Sequence, residues 1–310
     1  MKNKRIILVL LVGLLLMAGL AMFLFFRFAR PAGSGPAGPQ VAGELFSKPW
    51  NNHPVLLVGL GDSVTAGFGA RNGYSYFNRL VTNPADEFPD LKDVNLAAVF
   101  PHLTVTNLSI SGSTSSEVVG RQLTLLPTNA VGVQGLVVMT TGGNDIIHNY
   151  GRTEPREEAM YGTTWEQAQP WVKNFARRLD EIVVQVQNRF PGGCDIFIAN
   201  LFDPTDGCGD AERAGLPHWT DAMKILDAYN AAIQHCAESH AEVHVVNIHA
   251  AFLGHGIHAT QFWRDHFDLH DPHYWFFDNL EDPNERGYDV IRRLFLIEIA
   301  KAKAGRPEIK

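Results

Sequence analysis

The stretch Val55-Leu56-Leu57-Val58-Gly59-Leu60-Gly61-Asp62-Ser63-Val64-Thr65-Ala66-Gly67 decides the fold. Its first half is apolar without polar alternation, the pattern of a strand buried on both faces of a parallel sheet. Its second half changes character. Glycines on either side of a serine permit a tight turn, which would lift the Ser63 hydroxyl to the C-terminal edge of the strand, the logic of a nucleophile elbow. In isolation Ser63 fits equally well as a helix cap or as an anion-binding group at a helix N-terminus.

Outward from this strand, similar apolar, β-branched runs recur at 103–108, 136–139, 195–199 and 243–248. Between them lie helical patterns at 74–81, 116–126, 170–190, 220–239 and 283–303. In the third, Trp171, Phe175, Leu179, Ile182, Val183 and Val186 fall at helical spacing, and Pro170 suits the first helical position. Strands alternating with helices predict a doubly wound α/β sheet, in which ligands bind outside the C-terminal strand ends.

Two more strand ends carry small residues and hydrogen-bond donors at that edge. They read Asn107-Leu108-Ser109-Ile110-Ser111-Gly112-Ser113-Thr114 and Thr141-Gly142-Gly143-Asn144-Asp145. In order and spacing, the three segments resemble the blocks of the SGNH (GDSL-type) hydrolase family of serine esterases and lipases. The resemblance covers residues 54–305, with two loops, 146–169 and 203–219, longer than the fold requires. It implies a three-layer α/β/α, doubly wound, five-stranded parallel sheet of flavodoxin-like type, which fits the strand count. It also implies Ser63 as nucleophile, with an oxyanion hole formed by the Ser63 N–H, the Gly112 N–H and the Asn144 amide. Acyl transfer needs such fixed donors, because negative charge builds on the carbonyl oxygen. No cofactor is implied. Asp145 is expected to tie down its loop.

The fourth block departs from the pattern. The family has Asp, two residues, His, then Pro-Asn and a Gly near the start of the last helix. Here Asn279 and Asp282 take the places of Asp and His, while Pro283, Asn284 and Gly287 are kept. Asp282 could act as the base itself, but an ordinary carboxylate near pKa 3.9 is a weak acceptor for a serine proton. Asp282, Pro283 and Glu285 also fit N-cap, N1 and N3 of a capping box, which is the expectation for Asp282. The imidazole is then expected from upstream, among His249, His255, His258, His266, His270 and His273, with His258 favoured because it follows closely on the fifth strand. His255 and His258 with Asp265, Asp268 and Asp271, or Asp203, Asp206 and Asp210, could hold a metal, but neither spacing matches a defined site, so none is expected. The aromatic run 274–277, with Trp219 and Trp263, fits core and lid packing or the wall of a substrate cleft.

Residues 6–26 carry no charge, and as a helix they reach roughly 31 Å, the thickness of a hydrocarbon core. The expected organisation is a signal anchor at 1–30, a Pro/Gly-rich tether at 31–53 whose 31–43 part buries nothing, and a hydrolase domain at 54–310. A cleaved signal is the alternative, and either exports the body. Three basic side chains precede the span and two arginines follow it, favouring a domain on the extracytoplasmic side. The net charge is −7, and the first 30 residues hold five basic groups and no acid, which leaves −12 for the rest and excludes nucleic acid as a partner. Cys194, Cys208 and Cys236 are too few for a disulfide scaffold; Cys194 and Cys236 are expected at one sheet edge as a pair.

The expected function is a membrane-tethered serine acyl hydrolase acting on a small ester or on an acylated carbohydrate or lipid. Two alternatives stay open: an O-acyltransferase or deacetylase of a surface carbohydrate, and a silent binding module that lost its base.

Overall fold

The computed structural model describes residues 2–304. Five parallel strands form one sheet in the order β2-β1-β3-β4-β5: β1 (Val55–Gly61), β2 (Leu103–Asn107), β3 (Gln134–Thr140), β4 (Cys194–Ala199) and β5 (Val243–Val246). The order reverses between β1 and β3, and the crevice above such a switch point is where doubly wound sheets bind ligands.

The helices in chain order are α1 (Lys2–Phe28), α2 (Ser63–Ala66), α3 (Tyr76–Val81), α4 (Leu96–Val99), α5 (Ser115–Glu117), α6 (Leu123–Leu125), α7 (Gly143–Ile147), α8 (Trp165–Arg189), α9 (Ala222–Ser239), α10 (Ile248–Phe252) and α11 (Glu285–Lys303). Alternate residues of the central strands feed two cores. Leu57, Leu136 and Val138 pack with α3, α10 and α11 on one face. Val58, Leu60, Val137 and Met139 pack with α8 and α9 on the other. This is the three-layer architecture that strands without polar alternation require.

Four local expectations are corrected. The helix predicted from Pro170 begins at Trp165, because Thr164 and Gln167 form a capping box there; Pro170 lies inside and forfeits one backbone bond. The predicted 116–126 helix is interrupted by a π turn at Val118–Gln122. The last helix is capped by Asn284, whose side chain accepts from the N–H groups of Arg286 and Gly287, so Asp282 is not its cap. The cysteines are free: Cys236 lies beside Asp180 and His240, while Cys194 abuts Gly135 on β3.

The Pro/Gly-rich stretch also differs from expectation. Ala37 is buried, and its N–H donates to Asp289 Oδ2 at 3.2 Å. The Arg286 guanidinium donates to the Ser34 carbonyl at 2.7 Å, and the Tyr274 N–H donates to Pro31 at 2.8 Å. A composition without large apolar side chains thus lies as a strap along α11, held through its backbone carbonyls.

Candidate active site

At the end of β1, Gly61 adopts φ +109°, and a Cβ there would fall 1.7 Å from the Thr140 carbonyl oxygen. Only glycine allows β1 and β3 to approach so closely where the chain turns into α2. Asp62 is the N-cap of that turn, accepting from the Val64 N–H at 3.1 Å and from the Thr140 hydroxyl at 2.6 Å. Thr140 in turn meets Thr65 at 2.8 Å, and Thr65 meets the Tyr76 hydroxyl at 2.7 Å. Burial pushes the Asp62 carboxyl up to about 7 against the pull of Thr140 and Val64, and the nearby Asp282 and Asp145 charges add to the rise.

Ser63 is the first residue of the turn, so its N–H has no intrahelical acceptor. Gly112 occupies a left-handed turn after β2, at φ +82°. Among the described residues neither N–H has a hydrogen-bond partner. Asn144, in the first turn of α7 after β3, donates its amide to the Ser113 carbonyl at 3.0 Å, which leaves its second amide hydrogen. Of the three residues expected as oxyanion donors, Ser63 and Asn144 line one cavity, whereas Gly112, on the loop after β2, is not among its lining residues. Asp145 ties its loop to the next, accepting from the Ser115 N–H at 2.9 Å beside Arg178; burial raises it to about 6 despite both.

Gln122 was not singled out by the sequence, and it joins two of these loops. Fully buried, it accepts from the Gly61 N–H at 2.7 Å, donates to the Gly61 carbonyl at 2.7 Å and reaches Ser113 Oγ at 3.1 Å. Its only sequence signal is a polar side chain within a helical pattern. Thr140 was missed as well, a polar residue closing an apolar strand, whereas Asn279 was legible only as the replacement for the family's Asp, without a role.

The side chain brought to Ser63 is that of Asp282. Its Oδ2 accepts from the Asn279 amide at 2.6 Å, and its backbone N–H donates to Asn279 Oδ1 at 3.1 Å. Burial raises the Asp282 carboxyl above the usual carboxylate range, while the Ser63 hydroxyl and the Asn279 amide pull it back. Oδ1 meets no partner at full hydrogen-bond geometry among the described residues. The contact with Ser63 is therefore loose.

His258, like Asp282, is not among the residues that line the cavity. It is 2% exposed, and its Nε2 lies 2.9 Å from Asp210. The reason is Asp206, whose carboxylate accepts from the N–H groups of Gly254, Gly256 and His258 at 2.7 to 2.9 Å and folds 254–258 against the 203–210 loop. Asp203 is likewise consumed by Thr205 and Gly207, so neither carboxylate is left for calcium. His255 is stacked on Trp275, with Nδ1 at 3.0 Å from the His273 carbonyl. Cys208, Asp210 and His258 bring ligand atoms within 4.8 Å of one another, but Arg213 and Arg264 already flank Asp210.

The cavity at Ser63 measures about 420 Å³. Ile146, Ile147, Leu201, Leu216, Trp219 and Leu226 make its lining mostly apolar. Of the aromatic run, Tyr274, Trp275 and Phe276 are buried in the core, whereas Trp219 walls the cavity and donates its indole N–H to the Thr163 carbonyl at 2.7 Å.

A variant of an acetyl xylan esterase from Geobacillus stearothermophilus superposes with a TM-score of 0.51 at 19% identity, covering 81% of this chain and 96% of that one. An extracellular lipase from Streptomyces rimosus matches at TM-score 0.46 and 18% identity, covering 80% and 99%. A phospholipase A1 from Streptomyces albidoflavus NA297 matches at 0.45 and 19%, also covering 80% and 99%. No curated protein matches the sequence. The model of the GDSL-like lipase/acylhydrolase family matches residues 60–290, a span that runs from the end of β1 into α11. With that match over the segment that carries Ser63, Asn144 and Asp282, the chain belongs to the GDSL-like lipase/acylhydrolase family and is an ester-bond hydrolase.

Proposed function

We propose that the protein is a membrane-anchored serine esterase for esters of apolar acyl chains, with Ser63 as nucleophile and Asp282 as general base. The observation that carries this reading is the Asp282 carboxyl beside the hydroxyl of Ser63, a residue that itself lines an apolar cavity. The change of base explains the change of its neighbour. A histidine base donates a ring N–H to the residue behind it, so that residue must be an acceptor. A carboxylate base has only acceptors, so the residue behind it must donate, and the Asn279 amide does. Burial of Asp282 also answers the objection that an ordinary carboxylate is too weak a base, because its raised pKa brings it nearer to working pH.

In the first half-reaction the Ser63 oxygen attacks the ester carbonyl carbon as its proton passes to Asp282. The carbonyl electron pair moves to the oxygen, which the Ser63 N–H, the Gly112 N–H and the Asn144 amide receive. Collapse expels the alkoxide, which takes the proton from Asp282 and leaves the acyl group on Ser63. Water then gives a proton to Asp282 and attacks the acyl-enzyme, and collapse releases the acid as Ser63 recovers its proton. The apolar lining suits the acyl chain better than a sugar ring, which calls for polar partners.

The anchor rests on α1, whose Lys4–Phe28 part has an uncharged stretch of mean hydropathy 3.0 that is not buried within the protein. Basic residues on its N-terminal side orient the hydrolase domain to the extracytoplasmic side.

The decisive experiment labels the full-length protein in detergent with a fluorophosphonate and follows hydrolysis of acyl esters of graded length. Labelling should be lost in Ser63→Ala. Asp282→Asn should lower kcat by about 10²- to 10⁴-fold, the range for a general base, while His258→Ala spares kcat. Full turnover in folded Asp282→Asn would refute the base, and an unlabelled native protein would refute the nucleophile.

A further inference from the structure

The loop that follows α10 turns three large apolar side chains outward: Phe262 is 64% exposed, Trp263 54% and Leu269 75%. Soluble domains rarely leave aromatic and aliphatic groups so close together uncovered. Two of them adjoin the end of α1. The Phe26 ring lies 5.7 Å from that of Phe262 and 4.9 Å from that of Trp263, both edge-on. The amide of buried Gln261 donates to the Phe26 carbonyl at 2.9 Å, so the last turn of α1 is joined to this loop by a directional bond as well as by ring contacts.

We propose that this loop is a second membrane contact, in which Phe262 and Trp263, with Leu269, enter the interfacial layer of the same bilayer that α1 spans. The inference rests on the anchoring role given to α1. It follows from position: an uncharged run that ends at Phe26 ends at the edge of the hydrocarbon layer. Side chains packed beside Phe26 are held at that depth. Tryptophan, with an apolar body and one N–H, favours this depth. Of the two arginines immediately beyond, Arg30 packs over the Tyr274 ring at 5.5 Å, so the chain leaving α1 also lies against the domain. Charges next to the aromatic pair are mixed, with Arg264 followed by Asp265 and Asp268, so the contact is apolar rather than a site for anionic lipid. Zwitterionic phosphatidylcholine is sufficient, and salt has little effect. A single helix would let the domain tilt and swivel; a second contact beside it holds the domain in one pose against the membrane.

The test uses the full-length protein reconstituted in phosphatidylcholine vesicles, with and without lipid brominated near the top of the acyl chain. Vesicle flotation after alkaline extraction reports α1 independently of the loop. The difference in emission between native protein and Trp263→Phe isolates Trp263, and the phenylalanine keeps the apolar contact. The expected result is a protein that floats, with Trp263 emission at least halved by shallow brominated lipid and insensitive to aqueous iodide. Emission quenched by iodide instead, or shielded from both quenchers as beneath a protein partner, would overturn the docking proposal while leaving the anchor intact. A protein that fails to float would overturn the anchor itself.

Discussion

At the scale of single residues, the site turns on a donor and an acceptor exchanging places. Asn279 and Asp282 stand where Asp and His were anticipated, and each fits the other only in this combination: the amide gives a hydrogen bond that the carboxylate accepts. A donor to a carboxylate stabilises its charged form and lowers its pKa. Asn279→Leu removes that donor, so the Asp282 pKa should rise further and the acidic limb of kcat/KM should move to higher pH. A scaffolding role alone would lower activity without moving the limb, and a pH-rate profile of the variant separates the two.

At the scale of elements, α11 connects the site to the rest of the fold. It carries Asp289, Arg292 and Arg293 inward, where they meet Arg79, Glu87 and Asp90 in a balanced cluster of three cations and three anions. Asp289 bonds Arg292 and Arg293 and also receives the Ala37 N–H of the strap. Removing one member of a buried ionic group strands the others, at a cost of about 3–5 kcal/mol. Asp289→Ala should therefore lower the denaturation midpoint sharply in detergent, and limited proteolysis should cut first within the strap, residues 31–43. Exposed pairs such as Lys301 with Glu298 should contribute under about 1 kcal/mol, so Glu298→Ala is the control.

At the scale of the whole molecule, buried carboxyls set how stability follows pH. Burial lifts Asp62 and Asp206 to about 7 and Asp145 to about 6. An unfolded carboxyl titrates near 3.9, so between about pH 4 and 7 the native state holds more protons than the unfolded state. Stability supplied by these groups is complete below that range and is lost as pH rises through it. Glu87 works in the opposite sense: Arg79 and Arg292 hold it at about 2, so its contribution is present above its unfolded value and is lost as pH falls toward 2. Thermal melts across pH 3 to 8 should show a maximum on the acid side of neutrality, near about pH 4 to 5. Asp62→Asn, which keeps an acceptor for Thr140, should flatten the decline above that maximum. A stability optimum at or above pH 7 would contradict the sign assigned to these groups.

The sequence by itself determined whatever depends on neighbours along the chain. Five apolar, β-branched runs specify strands, although β2 at the sheet edge proves largely exposed rather than buried on both faces, and the turns after three of them carry Ser63, Gly112 and Asn144, because a strand end and the tight turn after it are local matters. The apolar run before Arg27 is legible in the same way. The tertiary structure decided what depends on distant approach. Both Asp282 and Asn284 satisfy the local rules for a helix cap, and the choice falls to Asn284 because Asn279 and the antiparallel bridge of Phe276 with Pro283 hold Asp282 back at Ser63, 219 positions away in the chain. His258 carried the right chemistry at a plausible place, yet Asp206, remote in sequence, fixes its segment against the 203–210 loop, where its ring meets Asp210. The strap has no apolar periodicity to detect; backbone carbonyls bind it to Arg286 and Arg293. Hydrogen bonds between groups far apart in the chain leave no periodic trace in composition, so only the folded molecule reveals them.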